Sequence, residues 1–262
     1  MKDKWSDSEA YERYVGRWSS TVAERFLDWL DAPTEASWLD IGCGTGALCE
    51  QILMSQSPGR LIGVEPSESF MTMAKQRVVK ENVEFKNGTG DNLPLEDADV
   101  DYAVSGLVLN FVPDKEAMMR EVLRVLSSGG VAAFYVWDYA GHTQFMRYFW
   151  DAAVELNPQA REHDEGVRFP VCRPKPLQNL FESAGFTNVQ VTPIDIPTPF
   201  QDFNDYWEPF LNDVAPAPGY CVGLSDGERA KLEARVRNAL PTDPDGMILL
   251  VARAWAVSGV RM

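Results

Sequence analysis

One short stretch limits what this chain can fold into. Ser37-Trp38-Leu39-Asp40-Ile41 runs directly into Gly42-Cys43-Gly44-Thr45-Gly46, and Ala47 to Leu53 follows at helical spacing. An apolar run of strand length, a glycine-punctuated turn and a helix make the first half of a βαβ unit. Glycines let backbone approach a ligand closely, and the helix N-terminus offers unpaired N–H groups. The spacing is G-x-G-x-G, not the G-x-G-x-x-G of dinucleotide sites. Asp40, just ahead of it, would repel a pyrophosphate and accept hydrogen bonds from an ammonium group. The loop therefore fits a zwitterionic or cationic ligand better than a dinucleotide.

The rest of the first half repeats the strand–helix alternation that builds a parallel sheet covered on both faces. A helix is predicted over Ser20 to Leu30, with Val22, Phe26, Trp29 and Leu30 on one face. Strands are predicted over Arg60 to Glu65, Val83 to Lys86, Val100 to Ser105 and Val131 to Trp137. A helix starting near Ser67 should bury Phe70, Met73, Ala74 and Val78. Another over Lys115 to Leu126 carries Met118, Val122, Val125 and Leu126, and Ser128-Gly129-Gly130 should end it. Beyond Asp138 the pattern gives a helix over Thr143 to Leu156, a polar loop to about Arg173, and a helix over Pro174 to Ala184 closed by Gly185. Val189 to Ile196 and Met247 to Val257 read as strands able to pair antiparallel. The insertion between them ends in a helix started by the capping box Ser225/Glu228, striped by Leu232, Val236 and Leu240, and stopped by Pro241.

Composition narrows the partners. The chain has 262 residues, enough for one large α/β domain with a cap, and 24 basic against 39 acidic residues give a net charge of −15. Such a surface repels phosphate backbones and anionic lipid, and no local basic patch offsets it, so nucleic-acid and membrane partners are not expected. A small-molecule substrate is; the oligomeric state is left open. Cys43, Cys49, Cys172 and Cys221 form no C-x-x-C pair, and only His142 and His163 accompany them, so no metal site is expected. With no signal-like or membrane-spanning stretch, a reduced, cytoplasmic protein is expected.

Further carboxylates fall at strand ends. Glu65 closes the second strand, where it could accept from both ribose hydroxyls. Asp91 lies in Gly90-Asp91-Asn92-Leu93-Pro94, where it could receive an adenine amino group with Leu93 flanking the ring. Together, Leu39 to Gly46, Gly63-Val64-Glu65-Pro66-Ser67, Gly90 to Pro94 and Ser127-Ser128-Gly129-Gly130 resemble the successive motifs of class I S-adenosylmethionine-dependent methyltransferases. The likeness is closest to the small-molecule branch resembling the quinone-biosynthesis C-methyltransferases, and it covers roughly residues 20 to 140.

This resemblance implies an α/β fold: a doubly wound, seven-stranded, mostly parallel Rossmann-like sheet with an antiparallel last strand, and a helical, aromatic cap from about 1–19, 139–173 and 197–246. It implies one domain that moves a methyl group from S-adenosylmethionine to a small acceptor and releases S-adenosylhomocysteine. Asp40, Gly42, Cys43, Gly44 and Gly46 would line the methionine moiety, and Glu65 with Pro66 the ribose. Asp91, Asn92 and Leu93 would take the adenine, and Ser105 and Leu107 would border the sulfonium. Many relatives carry a histidine after the fourth strand, where this chain has Leu109-Asn110-Phe111.

Trp137, Tyr139, Phe145, Tyr148, Phe149 and Trp150, and then Phe200, Phe203, Tyr206, Trp207 and Phe210, suit a pocket for an apolar or aromatic acceptor and for cation–π attraction to a sulfonium. In the N-terminal segment Tyr11 to Trp18, Tyr14 or Arg17 could clamp the cofactor's carboxylate. Asp138, Tyr139 and His142 are the candidates for a base. A non-catalytic cofactor-binding module on the same fold is the alternative; a nicotinamide-dependent oxidoreductase is excluded by the glycine spacing and by Asp40.

Overall fold

The computed structural model describes residues 14–213 and 215–262, which fall into two compact units. Residues 1–13, with Tyr11, Glu12 and Arg13 of the N-terminal segment, lie outside the described residues. The first unit comprises Ser19–Val136, Arg173–Ile194 and Trp255–Met262, and the second residues 14–18, Trp137–Cys172 and Asp195–Ala254.

In the first unit the alternation runs α1 (Ser19–Leu30), β1 (Ser37–Ile41), α2 (Ala47–Ser55), β2 (Arg60–Val64), α3 (Glu68–Arg77), β3 (Val83–Lys86), β4 (Val100–Gly106), α4 (Lys115–Val125) and β5 (Leu126–Trp137). Then come α7 (Pro174–Ala184), β6 (Thr187–Phe200) and β7 (Ile248–Val260), with α5 (Gln144–Leu156) and α6 (Glu165–Arg168) in the second unit. The seven strands are ordered β3-β2-β1-β4-β5-β7-β6. The pairs among β1 to β5 are parallel, with Leu39 opposite Ile62 on one side and Ala103 on the other. Gly129 N–H donates to Arg261 O and Arg261 N–H to Gly130 O, the reciprocal exchange of an antiparallel pair, so β7 runs against β5. Thr187 Oγ1 donates to Val260 O, which sets the start of β6 beside the end of β7.

The strand order reverses direction between β1 and β4. Right-handed crossovers then put α2 and α3 on one face and α4 on the other, and leave a crevice beyond the carboxyl ends of these strands. β1 is buried on both faces, with Trp38, Leu39 and Ile41 at most 1% exposed, as a central strand covered twice must be. Asp114 caps α4 by accepting from Ala117 N–H, and Gly185 ends α7 at φ 101°.

Several expectations are corrected. β5 begins at Leu126, so Ser128-Gly129-Gly130 lies inside the strand instead of closing α4; the cross-strand bonds to Arg261 hold it there. α1 buries Ala23 and Leu27 beside Val22 and Phe26, while Trp29 and Leu30 stay half-exposed. In α3 Met71, not Met73, faces inward.

The second unit contains α5 (Gln144–Leu156), a 3-10 turn at Pro158–Glu162, α6 (Glu165–Arg168), α8 (Phe203–Trp207), α9 (Pro216–Gly223) and α10 (Asp226–Ala239), with the remaining parts of β6 and β7. The polar stretch expected as a loop thus holds two short helical turns, each started by a side-chain cap: Asn157 accepts from Gln159 N–H and Asp164 from Gly166 N–H. The capping box at Ser225/Glu228 is present. Aromatic rings fill the interior. Phe149 stacks on Phe210 with centroids 4.4 Å apart, and Tyr206 donates its hydroxyl to Phe145 O at 2.6 Å. Arg147 forks onto Asp164 at 2.8 Å and also donates to Tyr139 O. Among the described residues no helix is long and apolar enough to cross a membrane.

Candidate functional site

The glycine loop takes its shape from backbone that only glycine adopts without strain. Gly42, Gly44 and Gly46 have φ of 71°, 55° and 87°. Gly42 N–H and Cys43 N–H both donate to Val64 O, tying the loop to the end of β2. The glycines differ in what surrounds them. A Cβ on Gly42 would meet Val108 Cγ1 at 2.7 Å, and one on Gly46 would meet Ala74 Cα at 3.1 Å. A Cβ on Gly44 would meet nothing nearer than Gly42 O at 4.0 Å. The first and third glycines admit protein neighbours, and the second leaves room for a ligand.

Glu65 joins two loops. Its Oε2 accepts Gly44 N–H at 3.0 Å and its Oε1 accepts Ser67 N–H at 2.9 Å, at only 6% exposure. Burial raises its pKa, and the two N–H donors pull against that rise. A carboxylate offers about four lone-pair sites, so each oxygen keeps one for a further donor. Two adjacent hydroxyls are the matching partner.

Asp40 is placed less openly than its position in the sequence suggests. It is 1% exposed, and Cys49, one turn into α2, donates its thiol to it at 3.2 Å. Burial lifts its pKa to about 7 against that thiol bond, and the neighbouring Glu65 adds to the rise. Cys43 is buried in the same core, where a Cβ on Gly63 would reach its Sγ at 3.0 Å. Pro66, Asp91 and Asn92 are exposed, and Leu93 is buried. Leu93 is fixed from both ends: its N–H donates to Glu121 and its carbonyl accepts from Arg124. Ser105 donates to Ile41 O at 2.8 Å, locking the end of β4 to the end of β1. Leu107 follows at φ 63°, a strained conformation for a branched side chain, held by its N–H to Tyr135 O.

The structure thus brings Gly42, Gly44, Gly46, Glu65, Ser105 and Leu107 to the carboxyl ends of β1, β2 and β4. Asn110, just beyond, sits in a 3-10 turn at Leu109–Phe111 with both amide atoms buried and no hydrogen-bond partner among the described residues. Buried polar groups in proteins are almost always paired. The signal for it in the sequence is one amide inside the apolar run Leu107 to Val112.

In the second unit, Arg17 forks onto Asp205 at 2.8 and 3.3 Å and lies over the rings of Trp18 and Phe200. Its bidentate face is engaged within the protein. Tyr14 is buried edge-on to Phe145 and Phe210, and its hydroxyl has no partner among the described residues. Asp138 holds a tight turn: it accepts His142 N–H at 3.0 Å, and its backbone N–H donates to Arg253 O. Tyr139 packs its buried ring near Phe169, whereas His142 is exposed. Glu165, missed in a stretch that reads as polar loop, is 1% exposed and accepts Trp150 Nε1–H.

Among the described residues no His/Cys/Asp/Glu group could hold a metal ion. The loop geometry instead suits an organic ligand with a ribose-like diol: a diol acceptor at Glu65, an open backbone face at Gly44, and an unpaired amide at Asn110.

Residues 39–134 match the family described as "Methyltransferase domain". Over 165 residues the chain is 28% identical to the demethylmenaquinone methyltransferase of Staphylococcus aureus (strain JH9), covering 58% of this chain and 68% of that relative. Among solved structures, a SAM-dependent methyltransferase of Thermotoga maritima shares 22% identity at a TM-score of 0.52, covering 97% of this chain and 99% of its own. A phosphoethanolamine N-methyltransferase of Haemonchus contortus, solved with phosphomonomethylethanolamine and S-adenosylhomocysteine, shares 16% identity at a TM-score of 0.59, covering 97% of this chain and 56% of its own.

Proposed function

We propose that this chain, a class I S-adenosylmethionine-dependent methyltransferase resembling the quinone C-methyltransferases, methylates a small acceptor of apolar or aromatic character. S-adenosylmethionine is the methyl donor and S-adenosylhomocysteine the product. When bound, the donor supplies an electrophilic methyl on a sulfonium, and the protein's task is to hold and orient two reactants and to exclude water.

The observation that carries the donor half is Glu65 bridging Gly44 and Ser67 with one lone-pair site free on each oxygen. In this reading Glu65 accepts both ribose hydroxyls, and the open face at Gly44 admits the methionine moiety. Asp91, exposed after β3, accepts the adenine amino group beside Leu93. Ser105 and Leu107 shape the backbone next to the sulfonium, and Asn110 offers its free amide to the bound ligands. Asp40 is buried behind the loop with its pKa raised to about 7, and an ammonium group beside it would favour its carboxylate form. Arg17 is held by Asp205, which leaves its guanidinium engaged and weakens it as a clamp for the cofactor's carboxylate.

The acceptor class rests on the ring-rich interior of the second unit and on the likeness to an enzyme named for a demethylmenaquinone. Asp138 is committed to its turn and His142 is solvated, so neither supports a base as well as a buried carboxyl would. The test is release of S-adenosylhomocysteine across a panel of small aromatic and apolar metabolites. Donor-dependent turnover of at least one supports an enzyme. Tight donor binding with no turnover across the panel would instead favour the cofactor-binding module.

A further inference from the structure

Glu165 is a carboxylate in the wrong surroundings for a structural residue. It opens α6, is 1% exposed, and takes hydrogen bonds from Trp150 Nε1–H and from its own backbone N–H. Trp150 in turn lies 5.2 Å from Phe149 and 5.4 Å from Tyr220, ring to ring. The adjacent Asp164 is neutralised by the Arg147 fork, but among the described residues no such fork reaches Glu165. A buried carboxylate held by two neutral donors among rings is costly to keep, and it retains lone pairs for another donor.

A second observation points to the same place. Tyr14 is 4% exposed, its hydroxyl has no hydrogen-bond partner among the described residues, and it packs on Phe145 and on Phe210, which stacks on Phe149 beside the Trp150 that donates to Glu165. Two polar groups with unused capacity, a carboxylate and a phenol, thus border one ring cluster of Phe145, Phe149, Trp150 and Phe210. Neither belongs to the donor-binding loops.

We infer that Glu165 and Tyr14 form the acceptor's polar anchor: a site within the second unit that grips one hydrogen-bond-donating group, a hydroxyl or an amine, on an otherwise apolar or aromatic molecule. Glu165 accepts the ligand's O–H or N–H, Tyr14 Oη pairs with the same heteroatom, and the rings take the apolar body. Burial places the Glu165 carboxyl at about 7 against the Trp150 bond, with Asp164 raising it and Arg168 lowering it. A group in that range can take up a proton from its ligand at neutral pH. The inference deepens the proposed function and rests on it for the word acceptor.

The test is equilibrium dialysis of the full chain, loaded with S-adenosylhomocysteine, against 2-naphthol, 1-naphthylmethylamine and naphthalene. At least one polar probe should bind tenfold or more tighter than naphthalene; which one does so separates the hydroxyl from the amine. Glu165→Gln, whose amide oxygen can still accept from Trp150, and Tyr14→Phe should each erase most of that margin. Naphthalene binding and S-adenosylhomocysteine affinity should stay unchanged, and the melting temperature should not fall. Equal binding of all three probes to the wild type, or an undiminished margin in both variants, overturns the inference. Should Glu165→Gln fail to fold, Tyr14→Phe decides alone. Loss of cofactor affinity or of all turnover in the wild type would sink the broader reading instead, and the two failures are read separately.

Discussion

Gly42 and Gly44 have the same kind of backbone and opposite surroundings, so alanine at each should fail in a different way. At Gly42 (φ 71°) a Cβ lands 2.7 and 2.8 Å from the two γ-carbons of Val108. The left-handed conformation costs an L-residue about 1–2 kcal/mol, and overpacking a tight site about 1–3 kcal/mol. Gly42→Ala should therefore destabilise by about 2–5 kcal/mol, and at about 2–4 °C per kcal/mol for a chain of this size the melting temperature should fall by roughly 4–20 °C. At Gly44 (φ 55°) only the conformational part applies, since the nearest atom is 4.0 Å away; the melting temperature should fall by no more than about 8 °C. In the cofactor the order reverses. Gly44→Ala puts a methyl on the open face and should weaken S-adenosylmethionine binding by tenfold or more, measured by isothermal titration. Adding Val108→Ala to Gly42→Ala should restore about 1–3 kcal/mol, the clash alone, in a double-mutant cycle. The reasoning is refuted if Gly44→Ala binds the donor like wild type, or if Val108→Ala restores nothing.

Glu65→Gln should keep the fold and lower donor affinity at least tenfold, because its amide can accept only one of the two backbone donors and presents N–H to a hydroxyl; calorimetry checks it. Asp40 and Glu165 both have folded-state pKa values near 7 against ordinary values of 3.8 and 4.5. The native state then binds more protons than the unfolded chain across that window, so stability should fall as pH rises from about 4 to about 7 and level off above it. Asp40→Asn should flatten part of that slope in urea titrations. Asp164→Ala takes the fork from the Arg147 guanidinium, 15% exposed, and leaves it paired only with Asp151 at 3.0 Å; a loss of about 1–3 kcal/mol is expected from chemical denaturation.

Elements with strong local signals were legible in the sequence, and those set by distant neighbours were not. β1, its loop and α2 could be read because an apolar run, three glycines and a helical period abut. Gly185 and the Ser225/Glu228 box gave their helix ends for the same reason. Ser128-Gly129-Gly130 looks like a helix stop, and only the pairing of β5 with Arg261 makes it strand. α6 and the turn before it are too short for any periodicity to show, so Glu165 was hidden in what reads as loop. In the site, Glu65 was found by its place at a strand end, but its bridging of Gly44 and Ser67 needs two loops brought together in space. The burial of Asp40 depends on Cys49, nine residues on and one strand-to-helix turn away. The identity of an end-of-strand carboxylate is local; its solvation is not.

The chain passes between its two units five times, at 18/19, 136/137, 172/173, 194/195 and 254/255, and β6 and β7 each contribute to both. Recombination therefore has no single cut that transplants one unit onto another protein. Nor can β7 slide by one residue to accommodate a change, since a slip would turn every side chain along it to the opposite face in both units at once. New acceptor preference in such a chain has to arise side chain by side chain, inside segments whose ends are already fixed.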